Sequence, residues 1–364
     1  MNNDPPVSII VLNFNGRSYL QGCLDSVKAQ DYPSFEIVLV DNASTDGSVD
    51  FIRERYPEVR LVCGKTNLGF AGGNNTGVDV AAHDLIVLVN NDVVVEPGWL
   101  RGLVQGVLEP DVAIASSLVR TVGIPELFYE RNGTVSLLGQ NVMLAFEDPR
   151  DLFSCTGCSL IFRKSEFGRP FDPDYFAYAE DVYLSLRARF AGRRVRHVPD
   201  SRLLHFGGGT SSRERASLVA FLQERNRILN DLIFFGPWTR IRLSPYFAAN
   251  VIGKTLIGLL KTPRSVPGYW SAYGWLLTHP RVIARKRKAL LTAKTVPDRD
   301  VLRVMSCKLL DSESAPARAL NKLSEWYCRL VGLRTIEHEP RSPLLAQLRR
   351  RMAEPGPRVE DPRP

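Results

Sequence analysis

Three uninterrupted apolar runs in the first hundred residues each end in asparagine or aspartate. VSIIVLN at 7–13 leads into Asn13 and Asn15, FEIVLV at 35–40 into Asp41 and Asn42, and LIVLV at 85–89 into Asn90, Asn91 and Asp92. Runs that are apolar on both faces are strands buried on both sides of a sheet. Segments with helical spacing separate them: 19–30 with Leu20, Leu24 and Val27, 47–55 stopping before Pro57, then 74–82 and 97–107, with a shorter strand at 59–63. Strands alternating with helices predict an α/β fold with a doubly wound, mostly parallel sheet. Ligands in such sheets sit beyond the carboxyl ends of the strands. Asn and Asp are also good helix caps. Capping accounts for one or two of these residues, and less well for three successive strand exits.

The chain is 364 residues long, a length that favours about two domains. Its net charge of +8 is uneven: residues 1–120 carry 8 basic and 15 acidic side chains, a net of −7, which leaves +15 for the rest. A nucleic-acid binder usually places its basic patch on the recognition domain; here the first third is acidic, so no nucleic-acid partner is expected. Six cysteines are too few for a disulfide scaffold. Cys155 and Cys158 form a lone C-x-x-C with no second pair to complete a zinc site. They are expected to be ordinary reduced thiols. Nothing near Met1 reads as a signal peptide, and a cytoplasmic setting is expected.

The middle of the chain is less regular. A strand is expected at 158–163 and helices at 180–191 and 215–235. Beyond Gly236 a helical, basic and aromatic extension is expected over 236–340, followed by a flexible tail over 341–364. The apolar stretch 247–260 has 14 residues and contains Lys254. That is shorter than the roughly 20 residues a spanning helix needs, so a core or interfacial helix is expected. The basic cluster 281–288 follows Trp270, Tyr273 and Trp275. It suits an anionic membrane surface, an oligomer contact or simply a solvated face.

Two familiar nucleotide motifs are absent. Gly253-Lys254-Thr255 resembles the end of a P-loop, but Ala248 stands where the motif needs glycine. The first strand runs into N-F-N-G rather than G-x-G-x-x-G. Without a basic, glycine-rich loop after that strand, a sugar-1-phosphate nucleotidyltransferase is also disfavoured.

The remaining polar signals form a chemical set. Asp41 closes strand two in VDNASTDGS and Asp92 closes strand four in VNNDV. Glu180 and Asp181 open a helix in FAYAEDVYLSLR, and His205 precedes a glycine run in LLHFGGGTS. A nucleotide-diphosphate sugar needs a carboxylate for its base and a divalent cation for its diphosphate. Carboxylates, and histidine when the ion is manganese, bind such a cation. The acceptor hydroxyl needs a general base.

In these stretches, together with VSIIVLNFNG, NLGFAGGNNTG and FDPDYFAYAEDVYLSLRARFAGRRVRHVPDSRLLHFGGGTS, the chain resembles the family 2 glycosyltransferases with a GT-A fold, and particularly their rhamnosyltransferase-like branch. The resemblance covers about 7–227 and is weaker to about 288. It implies a catalytic domain over 1–235 that moves a hexose with inversion, with dTDP-rhamnose as the best single donor. The acceptor would be a hydroxyl of a glycan or polyprenyl-diphosphate-linked glycan in cell-surface polysaccharide assembly. Asp181 would be the catalytic base, with Glu180 beside it. Asp41 would take the pyrimidine base, and Asn13, Asn15, Asn67, Gly69, Asn75 and Asn91 would line the donor pocket. Asp92 and His205 would hold Mn2+ or Mg2+. The resemblance also makes a peripheral location at the inner face of the cell membrane and a homo-oligomer reasonable expectations. Two departures stand out: Asn90 occupies the first position of the family's D-x-D, and Tyr183 the last position of its E-D-x-D. They leave one alternative, a degenerate nucleotide-sugar-binding scaffold.

Overall fold

The computed structural model describes residues 4–123, 133–143, 150–207, 215–310, 312 and 314–338. The first part runs β1 (Val7–Asn13), α1 (Arg17–Lys28), β2 (Phe35–Asp41), α2 (Ser48–Arg55), β3 (Arg60–Cys63), α3 (Gly69–Val80), β4 (Leu85–Asn90), β5 (Val93–Val95), α4 (Trp99–Leu108) and β6 (Val112–Thr121). It continues with β7 (Gly133–Val135), β8 (Asn141–Met143), β9 (Arg150–Leu152), β10 (Ser159–Arg163), α5 (Lys164–Phe167), α6 (Glu180–Phe190), β11 (Arg194–His205) and α7 (Ala216–Phe234). The extension holds α8 (Pro237–Lys261), α9 (Val266–Thr278), α10 (Pro280–Leu291), α11 (Asp298–Leu302) and α12 (Ala315–Val331). The tail expected over 341–364 lies outside the described residues, as do Gly208 and Gly209 of the glycine run.

The sheet order is β3-β2-β1-β4-β10-β6-β11-β5, with β9 also paired to β11. The strands from β3 to β4 are parallel, as the alternating pattern requires. Beyond β4 the sheet is mixed: β10 inserts antiparallel between β4 and β6, β11 returns parallel to β6, and β5 runs antiparallel to β11. Both faces are covered. Val7, Ile9 and Val11 pack with Leu20, Leu24 and Leu103 on one side. Ile10 packs with Ala71 and Val78 on the other. Register aligns the polar exits, since Asn13 pairs with Asp41 and Leu12 with Asn90.

The second half hides its strands because buried serines break their apolar runs. Ser116 and Ser117 of β6 are fully buried. Ser117 Oγ accepts from the Trp99 indole at 3.1 Å and lies 2.7 Å from Ser159 Oγ and 2.8 Å from Ser201 Oγ. Buried hydroxyls satisfied this way cost little.

The apolar stretch 247–260 is the second half of a longer helix, α8, of 25 residues. Of the two expected placements, core or interfacial, the core one does not hold: Leu256, Ile257, Leu259 and Leu260 are all exposed. Its inner face packs on the protein, with Tyr246 Oη 2.7 Å from Ser324 Oγ. The extension also grips α7 through Glu224, which is fully buried. Glu224 accepts from Arg227 and Lys254 at 2.7 Å, Asn250 at 2.5 Å and Tyr273 at 3.0 Å. Burial alone would raise this carboxyl; Arg227 and Lys254 hold it down at about 2. The basic and aromatic cluster is therefore divided. Tyr273 faces Glu224, Lys286 binds Asp172 and Asp174, and Arg287 donates to the carbonyls of Leu232, Ile233 and Phe235.

Candidate active site

The exits of β1, β2 and β4 are tied together by their own side chains. Asn13 Nδ2 donates to Asp41 Oδ1 at 3.0 Å, and Asn91 Nδ2 donates to Asn13 Oδ1 at 2.6 Å. The Ser44 amide donates to Asp41 Oδ2 at 2.9 Å. Asp41 is thus buried with one donor on each oxygen, and a carboxylate oxygen can accept a second. Asn15 has left-handed backbone, with φ of 50°. From there its amide donates to Ser44 Oγ at 2.9 Å and its Oδ1 accepts from the Thr45 amide at 2.8 Å. Gly16 makes this closure possible, because a Cβ there would sit 1.9 Å from Asn91 Nδ2.

Asn42 joins these exits to the loop before α3. Its Nδ2 donates to Asn67 Oδ1 at 2.8 Å and its Oδ1 accepts from the Leu68 amide at 2.9 Å. Asn67 Oδ1 also accepts from the Gly69 amide at 2.7 Å. Gly69 has φ of +70°, and a Cβ on it would meet the Phe176 carbonyl oxygen at 2.3 Å. The start of α3 therefore touches the loop that leads to Glu180. Asn75 sits deeper, with both ends of its amide bonded to the Phe171 backbone, at 2.8 and 3.2 Å.

At the far side of this crevice His205 Nε2 lies 3.3 Å from Asp92 Oδ2. Antiparallel pairing of β11 with β5 sets this contact, since His205 pairs with Val93 and the Phe206 amide donates to the Asp92 carbonyl at 2.9 Å. Among the described residues no three His, Cys, Asp or Glu side chains converge as a complete cation cage. A carboxylate and an imidazole fit a Mn2+ or Mg2+ ion that takes its other ligands from substrate phosphate and water.

Glu180 and Asp181 open α6, where the helix dipole favours negative charge. The Val182 amide donates to Asp181 Oδ1 at 2.7 Å, and the Gly157 amide approaches Oδ2 at 3.4 Å. Gly157 belongs to the C-T-G-C turn, whose Cys158 carbonyl accepts from the Asn90 amide at 3.1 Å. One backbone turn thus connects the Asp181 carboxylate to the exit of β4. This role of residues 155–158 was not apparent from the sequence, where the two cysteines draw attention instead. Both thiols are free and buried. Burial and the nearby Asp181 push Cys155 up to about 12. Burial, then the Asp181 charge, raises Glu180 to about 8, and its Oε2 is buried without a hydrogen-bond partner. Burial also raises Asp181. Tyr183, in the place of a second aspartate, is a core residue 5.2 Å from the Tyr175 ring and 5.5 Å from Phe234.

The loop before this pair is strained, with left-handed backbone at Phe176, Tyr178 and Ala179. Such non-glycine conformations cost about 1–3 kcal/mol each and persist only when the surroundings impose them. Helix α7 supplies the restraint. Asn226 Nδ2 donates to the carbonyls of Tyr175, Ala177 and Tyr178 at 2.8–2.9 Å. Asn230 Nδ2 reaches the Ala179 carbonyl at 3.1 Å, and Arg225 reaches that of Asp174 at 2.6 Å. Asn226 and Asn230 carried no sequence signal, since an asparagine in a helix looks the same whether it faces water or a loop.

The family model described as glycosyl transferase family 2 matches residues 8–168. The N-acetylglucosaminyl-diphospho-decaprenol L-rhamnosyltransferase of Mycobacterium tuberculosis is 28% identical over 246 residues, 58% of this chain and 80% of that protein. The O-antigen biosynthesis protein RfbC of Myxococcus xanthus is 28% identical over 278 residues, 71% of this chain but 21% of its own length. Among solved structures, GalNAc-T7 with UDP, GalNAc and Mn2+ superposes with a TM-score of 0.55 at 15% identity, covering 78% of this chain and 57% of that one. That likeness establishes the shared GT-A architecture.

Proposed function

We propose that this chain, a glycosyltransferase whose residues 8–168 belong to glycosyl transferase family 2, moves a hexose from a nucleotide-diphosphate sugar to an acceptor hydroxyl with inversion. The observation that carries the reading is the joining of Asp41, Asp92 with His205, and Asp181 around the exits of β1, β2, β4 and β11. These provide, in turn, a carboxylate for the nucleotide base, a cation site for the diphosphate and a base for the acceptor.

In this reading Asn13, Asn15, Asn67, Gly69 and Asn91 shape the donor pocket, and Asn75 holds its wall through Phe171. Asp181 Oδ2 takes the proton of the acceptor hydroxyl as that oxygen attacks the anomeric carbon. The carbon–oxygen bond to the nucleoside diphosphate breaks on the opposite face. Glu180, neutral below about pH 8, leaves the negative charge of the pair on Asp181. A divalent cation held by Asp92 and His205 would supply Lewis-acid stabilisation of the leaving diphosphate.

The name of the Mycobacterium tuberculosis relative supports rhamnose as the sugar and a polyprenyl-diphosphate-linked glycan as the acceptor; dTDP is the carrier proposed with that sugar. A lipid-linked acceptor in turn calls for work at the inner face of the membrane. The test is a thermal-shift panel of dTDP-, UDP- and GDP-sugars with and without manganese. A ligand at about 100 times its Kd stabilises by roughly 2.7 kcal/mol. A manganese-dependent shift with one nucleotide class is expected. No shift with any donor would contradict the reading.

A further inference from the structure

Helix α8 leaves an apolar stripe uncovered. Trp238, Ile241, Ile252, Leu256 and Leu260 recur at helical spacing and are each more than half exposed, with Leu260 at 84%. At 1.5 Å per residue the stripe runs roughly 33 Å. On α9, Leu277 is 81% and Trp270 54% exposed. Apolar surface on this scale marks an interaction site.

Charge identifies the occupant. Between Asp231 and Asp298 the sequence holds eleven lysines and arginines and no aspartate or glutamate. Lys254, Lys286, Arg287 and Lys294 are engaged inside the protein. Arg242, Lys261, Arg264, Arg281, Arg285 and Lys288 remain exposed. A second copy meeting this face through its own would set like charges together. An anionic lipid surface complements both the charge and the apolar stripe, with the tryptophans suited to its headgroup level.

We propose that α8 and α9 seat this protein on an anionic bilayer, with α8 lying along the surface rather than crossing it. The inner face of α8 supports the surface orientation, because Tyr246, Asn250 and Lys254 are bonded to Ser324 and Glu224. A spanning helix must be apolar all round. The proposal names the surface from which a lipid-linked acceptor is presented and rests on that reading for its purpose. Lys286 on α10, the helix that follows α9, binds Asp172 and Asp174 in the segment leading to Glu180.

The experiment is sedimentation of the full chain with vesicles of phosphatidylglycerol and phosphatidylcholine, or of phosphatidylcholine alone. Binding to the anionic vesicles, released by salt, is expected. The triple variant Ile252→Asp/Leu256→Asp/Leu260→Asp should stay in the supernatant with an unchanged melting temperature. Arg281→Gln, a milder variant, should weaken binding about fivefold, the equivalent of one surface charge. Absence of vesicle binding, unchanged binding by the triple variant, or a wild-type dimer that the triple variant dissolves would each overturn the proposal. Nucleotide binding is read separately. Vesicle binding without it would uphold this surface and sink the donor reading; nucleotide binding without vesicle binding would do the reverse.

Discussion

His205 Nε2 lies 3.3 Å from Asp92 Oδ2, which joins the end of β11 to the turn after β4. Both side chains are partly exposed. The proposed role of the pair in holding a cation can be separated from any role in folding. Changing His205 to Ala is expected to weaken manganese-dependent stabilisation by nucleotide about tenfold or more, since even indirect supports of a metal site are worth that much. Nucleotide binding without manganese should change little. Titrating manganese against the thermal shift checks this, and equal manganese dependence in both proteins would refute the assignment.

The loop clamp gives a second test. Replacing Asn226 with Ala leaves the carbonyls of Tyr175, Ala177 and Tyr178 without their shared donor. Losing a buried partner costs about 1–3 kcal/mol, and the strained loop is expected to relax. Chemical denaturation should show the stability loss. Steady-state kinetics should show a lower kcat with little change in the donor KM, because the loop positions Asp181 rather than the nucleotide. A change confined to donor KM would mean the clamp serves the donor instead.

Gly16 provides a third. Its Ala variant pushes Asn91 Nδ2 away from the 1.9 Å position a Cβ would crowd and breaks the bond from Asn91 to Asn13. Weaker donor binding with near-normal folding is expected. Calorimetry with the nucleoside diphosphate measures it, and wild-type affinity would show that Asn91 does not shape the pocket.

Two buried acids contribute a pH dependence of stability near neutrality. Burial raises both Glu180 and Asp231 to about 8, from ordinary values of 4.5 and 3.8. The unfolded chain releases these protons first, so the contribution of these two groups to stability is fullest below their ordinary values. That contribution falls as pH rises toward 8 and levels off above that. Glu180→Gln removes one of the two contributions, flattening the slope in that window by about 1 kcal/mol per pH unit. Melting curves from pH 5 to 8.5 test this. Parallel curves for both proteins would show that Glu180 is charged in the folded state.

The crevice was legible in the sequence because β1, β2 and β4 are apolar on both faces and stop abruptly at Asn13, Asp41 and Asn90. That contrast survives without tertiary information. β6 and β11 were not legible: Ser116 and Ser117 interrupt one, and Pro199 with several arginines interrupts the other. Their burial makes sense only once Trp99 and Ser201 are in place. The antiparallel insertion of β10 depends on long-range pairing that no local pattern announces. Asp181 was singled out through the resemblance of its motif, whereas Gly157 and Asn226, whose contacts with it and its loop are long-range, could not be. Whether the apolar stretch of α8 was core or interfacial stayed open in the sequence because apolar residues at helical spacing do not reveal which side they face.

The central claim rests on Asp181 as the base of glycosyl transfer. Its most direct test compares wild type and Asp181→Asn for transfer from the donor that the thermal-shift panel selects, alongside binding of that donor. Removing a general base should cost about 10²–10⁴-fold in kcat, with donor affinity and melting temperature close to wild type. Transfer at the wild-type rate in Asp181→Asn, with donor still bound, would contradict the account.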